Sequence, residues 1–162
     1  GSGWDRRVTD SSTSALRARI NAIEGSYELF LGYAAKGSRG GPGSGDGSVR
    51  TAIEQMDRSL EGLGEFLAAT VRERGLEPLA AYDGFITVLS QDALQSRAAL
   101  QLVAAQETIS SAVIDNLNGS IHLRAILTDL FLIDEILRPR ASEGIPAAAL
   151  ANEKPPPPDK TS

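Results

Sequence analysis

Residues 120–137 read SIHLRAILTDLFLIDEIL, and this stretch decides the fold class. Its ten Ile, Leu and Phe side chains spread around most of a helical circumference, interrupted only by His122, Arg124, Ala125, Thr128, Asp129, Asp134 and Glu135. A helix apolar on one stripe lies on a surface, whereas one apolar nearly all round is buried on several sides. The ionic side chains of Arg124, Asp129, Asp134 and Glu135 inside so short a run argue against a membrane span. Asn118-Gly119 suits the close of a preceding helix, Ser120 suits an N-cap, and Pro139 stops the run. The expectation is therefore an all-α protein, a single bundle of about five helices with 120–137 as its central helix.

Working outward, the same periodicity recurs. Leu16, Ile20, Ile23, Tyr27, Phe30 and Ala34 alternate four and three and share one face, which predicts a helix from about residue 13 to 35 behind the Ser/Thr cluster at 11–14. Val49, Ile53, Met56, Leu60, Leu63, Leu67 and Val71 repeat the pattern, with Ser48 as cap and Gly75 as stop, and predict one unbroken second helix. Glu54, Asp57, Glu61 and Glu65 lie toward its other side as a solvated face or an acidic docking strip. Leu79, Tyr82, Phe85, Ile86 and Leu89 predict a short third helix. A bend near Ser90, with Ser90 or Asp92 as cap, then leads into a fourth, whose core stripe is Leu94, Ala98, Leu102, Ala105, Ile109 and onward to Leu117.

Between and beyond these elements the composition changes. Residues 1–12 begin with Gly-Ser-Gly, resemble a cloning remnant and read as a loose N-terminus. The Gly-rich loop 36–47 has little apolar surface to bury and reads as a flexible insertion within a bundle covering 13–138. Residues 139–162, with four consecutive prolines, read as a flexible tail suited to tethering. Gly25, Gly32, Gly62, Gly64 and Gly84 fall inside expected helices, and close approach of neighbouring helices would offset their cost.

Composition narrows function by exclusion. At 41% hydrophobic but only 5% aromatic, the core is aliphatic, as in helix bundles. A net charge of −5 disfavours a general nucleic-acid binder, which needs positive charge to neutralise phosphate. It also makes attachment to a membrane surface unattractive. Cysteine is absent, removing disulfides, thiolate metal sites and cysteine nucleophiles together and fitting a cytoplasmic location. His122 is the only histidine, no Glu-x-x-His pair accompanies it, and neither a Walker loop nor a dinucleotide fingerprint occurs in a strand-to-helix setting. No metal, cofactor or catalytic residue is expected on these grounds.

Two family resemblances point to specific residues. The stretch IHLRAIL resembles the phosphoacceptor helix of histidine phosphotransfer domains, which implies His122 as acceptor. Here the basic residue comes second after the histidine, and Ile126 stands where a small residue is needed. SGDGSVRTAI, through Gly45, Asp46, Gly47 and Arg50, resembles the arginine-finger segment of bacterial type III effectors that activate Rho-family GTPases. That resemblance implies a small helical bundle in which Arg50 neutralises charge on the transferred phosphoryl group. It covers about ten residues, and the Gln-Trp-Gly-Thr stretch of that family has no counterpart here. The principal expectation is a non-catalytic helical module for protein–protein interaction or regulation, part of a larger protein or assembly and partnered by another protein. The alternative is GTPase activation through Arg50.

Overall fold

The computed structural model describes residues 2–36 and 46–138, with side chains from Thr13 onward in the first segment. The described residues form six α-helices and no strand: α1 (Ser2–Lys36), α2 (Gly47–Leu60), α3 (Leu63–Glu73), α4 (Leu79–Ala104), α5 (Ser111–Asn118) and α6 (Ile121–Leu137). The all-α class follows from the pattern. The Gly-rich residues 37–45 and the tail 139–162 lie outside the described residues. Compactness divides the chain after Leu130, inside α6; of the second unit, residues 131–138 are described, and in them Ile133 and Leu137 are buried.

In the first unit α1 packs against α2, α3 and α5, and α4 packs against α2 and α3. Leu16, Ile20, Ile23 and Phe30 form the buried stripe of α1, as their spacing predicts. The helix nevertheless starts at Ser2 rather than near Thr13. Neither proline nor glycine interrupts residues 4–24, so nothing local stops the helix there.

The stripe from Val49 to Val71 is buried throughout, yet it belongs to two helices instead of one. The chain breaks at Glu61-Gly62, where Gly62 takes φ 69°, a left-handed conformation that costs a residue with a Cβ. Arg19 of α1 closes the break. Its Nη1 donates to the carbonyls of Arg58, Ser59 and Glu61 at 3.3, 3.0 and 2.7 Å. Its guanidinium also lies 4.0 Å from the Phe66 ring centroid. The carbonyls stranded at the end of α2 are thus satisfied by a neighbouring helix.

The expected bend near Ser90 does not exist. α4 runs unbroken from Leu79 to Ala104, and the break falls at 105–110 instead. Ser90 serves packing rather than capping: a Cβ on Gly64 would overlap Ser90 Oγ. Of the helical glycines, Gly64 is the one that needs close approach, while Gly25, Gly32 and Gly84 face open space.

α6 forms where expected, with Ser120 Oγ accepting from Leu123 N at 3.2 Å. Its burial is one-sided, however. Leu123, Ile126, Leu127 and Leu130 are buried, but Ile121 is 74% exposed and Phe131 56%. An all-round apolar sequence does not require all-round burial, because apolar side chains also make up much of any folded surface.

Two glycine substitutions should therefore act in opposite directions. Gly64→Val, forced against Ser90, should cost about 1–3 kcal/mol. Gly25→Ala, in open helix, should stabilise by about 0.5–1 kcal/mol. Urea denaturation of both variants checks this, and equal signs would refute the packing account.

Candidate functional site

Arg50 lies in the first turns of α2, and the side chains around it form a polar clamp on the 105–110 break. Its Nη1 donates to Ala104 O at 2.8 Å; its Nη2 donates to Gln106 O at 3.1 Å and Glu107 O at 3.3 Å. Nη2 also pairs with Asp46 Oδ2 at 3.3 Å. That same Oδ2 accepts from Ile109 N at 2.8 Å, and Tyr33 of α1 donates its hydroxyl to Ile109 O at 2.6 Å. Both backbone groups of Ile109 are thereby held, and its side chain is buried. The hydrogen bond from Ile109 N–H, followed by that from Arg50, holds the Asp46 carboxyl below its ordinary range. Burial, and then the Asp46 charge, push the Tyr33 hydroxyl up.

This geometry gives Arg50 a structural role. An arginine finger must present its guanidinium to another molecule, whereas this one closes the carbonyl end of α4. Asp46 also displaces the expected cap. α2 begins at Gly47 with Asp46 in the N-cap position, and that carboxylate makes no capping bond because it is turned to Ile109 and Arg50. α5 does carry a conventional cap, Ser110 Oγ accepting from Val113 N at 3.1 Å.

His122 sits at the start of α6 beside α4. Its Nδ1 lies 3.1 Å from Gln95 Oε1, and its carbonyl accepts from the buried Ser96 Oγ at 2.9 Å. The histidine is exposed, which the expectation of a central helix had not anticipated. Farther along the same pair of helices, Asp129 of α6 meets Asp92 of α4. Asp129 Oδ2 is buried with no donor facing it. Burial first, and then the hydrogen bond and charge of Asp92, push the Asp129 carboxyl up to about 7. A protonated Asp129 can donate to Asp92; two ionised carboxylates there repel. Neither carboxylate was singled out from sequence as a pair, because their contact depends on how α4 and α6 cross. Among the described residues no three His, Cys, Asp or Glu side chains are grouped so as to hold a metal ion.

The remaining feature is a surface. α4 buries Leu89, Ala93, Ser96, Leu100 and Val103. Its opposite side carries Leu94, Ala98, Leu102 and Ala105, the stripe that the spacing had assigned to the core. Leu94 is 62% exposed and Leu102 66%. The helix is apolar on two faces, and packing selected the other one. Between Gln91 and Gln106 every exposed side chain of α4 and of the residues just after it is Gln, Leu or Ala. The flanking charge Arg97 is engaged by Asp57 Oδ1 at 2.7 Å, and Gln101 Nε2 donates to the same carboxylate at 3.2 Å. Asp57, part of the expected acidic strip, thus ties α2 to α4.

Comparison with known proteins finds no matching family model, no matching curated protein and no matching solved structure. Among the described residues no helix is long and apolar enough to cross a membrane.

Two outcomes test the polar assignments. Arg50→Ala removes the guanidinium donor from the carbonyls of Ala104, Gln106 and Glu107 and should cost about 1–3 kcal/mol in urea denaturation. An unchanged midpoint would refute the clamp. For Asp129 the sign follows from the raised acid: the folded chain holds a proton that the unfolded chain has already lost, so stability falls as pH rises from the ordinary aspartate range toward about 7. Asp129→Asn should stabilise at pH values above about 7 by on the order of 1–2 kcal/mol, solvent screening included, and have little effect near the ordinary aspartate pKa of about 4. Denaturation curves at the two pH values would contradict this if the gain were the same at both.

Proposed function

We propose that this chain is a non-catalytic helical interaction or regulatory module, part of a larger protein or assembly, and that its binding surface is the outer face of α4. The observation that carries the reading is the run of exposed, uncharged side chains around Leu94, Ala98 and Leu102 on the side of α4 opposite its buried face. Water contact at large aliphatic side chains is costly, and contiguous patches of this kind mark sites where another protein binds. The residues with the best chemical credentials already have structural partners: Arg50 closes α4, and His122 joins α6 to α4.

Another protein suits this face better than nucleic acid. Paired phosphates require cations, and here the exposed positions are neutral on a chain of net charge −5. A cytoplasmic setting belongs to the same reading, supported by the absence of cysteine.

The test compares immobilised wild type with Leu94→Glu/Leu102→Glu in quantitative capture from native lysate, with circular dichroism as the folding control. Both positions are exposed, so helicity should be retained while a specific partner is lost by tenfold or more. Identical capture profiles from the two proteins would remove the α4 face as the binding surface.

A further inference from the structure

We infer that the occupant of the outer α4 face is a second copy of this chain, bound antiparallel about a two-fold axis passing beside Ala98. The inference rests on the interaction reading above and names its partner.

The order of side chains on the exposed face carries it. Reading outward from Ala98, the positions three residues away are Gln95 and Gln101, and the positions four away are Leu94 and Leu102. The exposed pattern is therefore a palindrome, Leu-Gln-Ala-Gln-Leu. In a two-fold interface residue i of one copy meets residue j of the other, and j meets i. An antiparallel axis at Ala98 sets Leu94 against Leu102 of the other copy twice, and Gln95 against Gln101 twice. Each leucine gains an apolar partner, and beside it Gln95, whose Oε1 meets His122, still has its amide N–H to offer the Oε1 of Gln101, whose Nε2 serves Asp57.

Helix geometry agrees. Leu94, Ala98 and Leu102 occupy one i±4 row, the ridge that interdigitates in the commonest class of helix crossing. The smallest side chain of the row lies at its centre, where two helix axes approach most closely. Leu94 and Leu102 stand about 12 Å apart along the axis, one on each side of that point.

Charge permits this partner: two chains of net charge −5 repel, and a neutral face adds no like-charge contact to that repulsion. This face adds none. Arg97 is turned to Asp57, and Asp92 is turned to Asp129. A strongly basic partner would instead favour an acidic surface. The paired span, from about Gln91 to Ala105, is roughly 21 Å long, which places the complex among small interfaces that form and dissociate readily.

Light scattering after size exclusion, from micromolar to near-millimolar protein, tests the inference with the full chain. The mass should rise with concentration from 17.1 kDa toward twice that value. Ala98→Glu should weaken association about a hundredfold by placing like charges across the axis. Ala98→Lys should do the same alone, whereas an equimolar mixture of the two variants should recover the dimer. Recovery excludes misfolding as the cause of the loss. Because these 162 residues include no cysteine, Leu94→Cys and Leu102→Cys can be joined cleanly with a short bismaleimide. The mixed pair should cross-link more than either variant alone. A wild type that stays monomeric at every concentration overturns the second-copy inference, as does a dimer indifferent to Ala98→Glu. The interaction reading is judged separately: loss of a different protein by the Leu94→Glu/Leu102→Glu variant would sustain it, and unchanged capture together with a monomeric wild type would end both.

Discussion

A helix that stops inside a folded chain leaves its last carbonyls without amide partners, and burying them unpaired is costly. Two of the breaks in this bundle are closed by an arginine from a different helix. Arg19 of α1 reaches the end of α2, and Arg50 of α2 reaches the end of α4. One guanidinium can serve several carbonyls at once because its donors project in a planar fork. The order of packing rests on this device. α1 fixes the α2–α3 break, α2 fixes the α4–α5 break, and Tyr33 of α1 returns to hold Ile109 at the same place.

The clamps also explain why α4 can be long and two-faced. With its C-terminus held by Arg50 and its centre tied to α2 through Arg97 and Asp57, α4 needs only one apolar face for the core. The other is left for solvent or a partner. Along the edge toward α6 the contacts are polar: Ser96 donates to the His122 carbonyl, Gln95 meets the imidazole, and Asp92 faces Asp129. A seam that includes two carboxylates binds less firmly than an aliphatic one when both are ionised, so the α4–α6 contact weakens as pH rises toward about 7.

Legibility varied with the range of the interaction. The stripes Leu16–Phe30 and Val49–Val71 could be read directly, because alternation of four and three places a whole face toward one environment. The caps at Ser120 and Ser110 are local hydrogen bonds within one turn, and the first was readable on that ground. Ser90, by contrast, looked like a cap and is a packing residue against Gly64, some twenty-six positions away. Arg50, singled out only through the arginine-finger resemblance, braces the end of α4. Both depend on partners distant in sequence. The pairing of Asp92 with Asp129 left no signature, since two isolated aspartates on separate helices resemble any pair of solvated charges.

The sequence by itself determined the all-α class, the stripes of α1, α2 and α3, and the start and helical nature of 120–137. Each of these follows from periodicity and capping, which are properties of neighbouring residues. Only the tertiary structure decided which of the two apolar faces of α4 is buried, that α6 is covered on one side, and that the break falls at 105–110 instead of Ser90. In each case two local solutions were nearly equal in propensity. The choice lay in shape and in carbonyl satisfaction: Gly64 lets α4 approach closely at Ser90, and Arg50 supplies a donor where α4 ends.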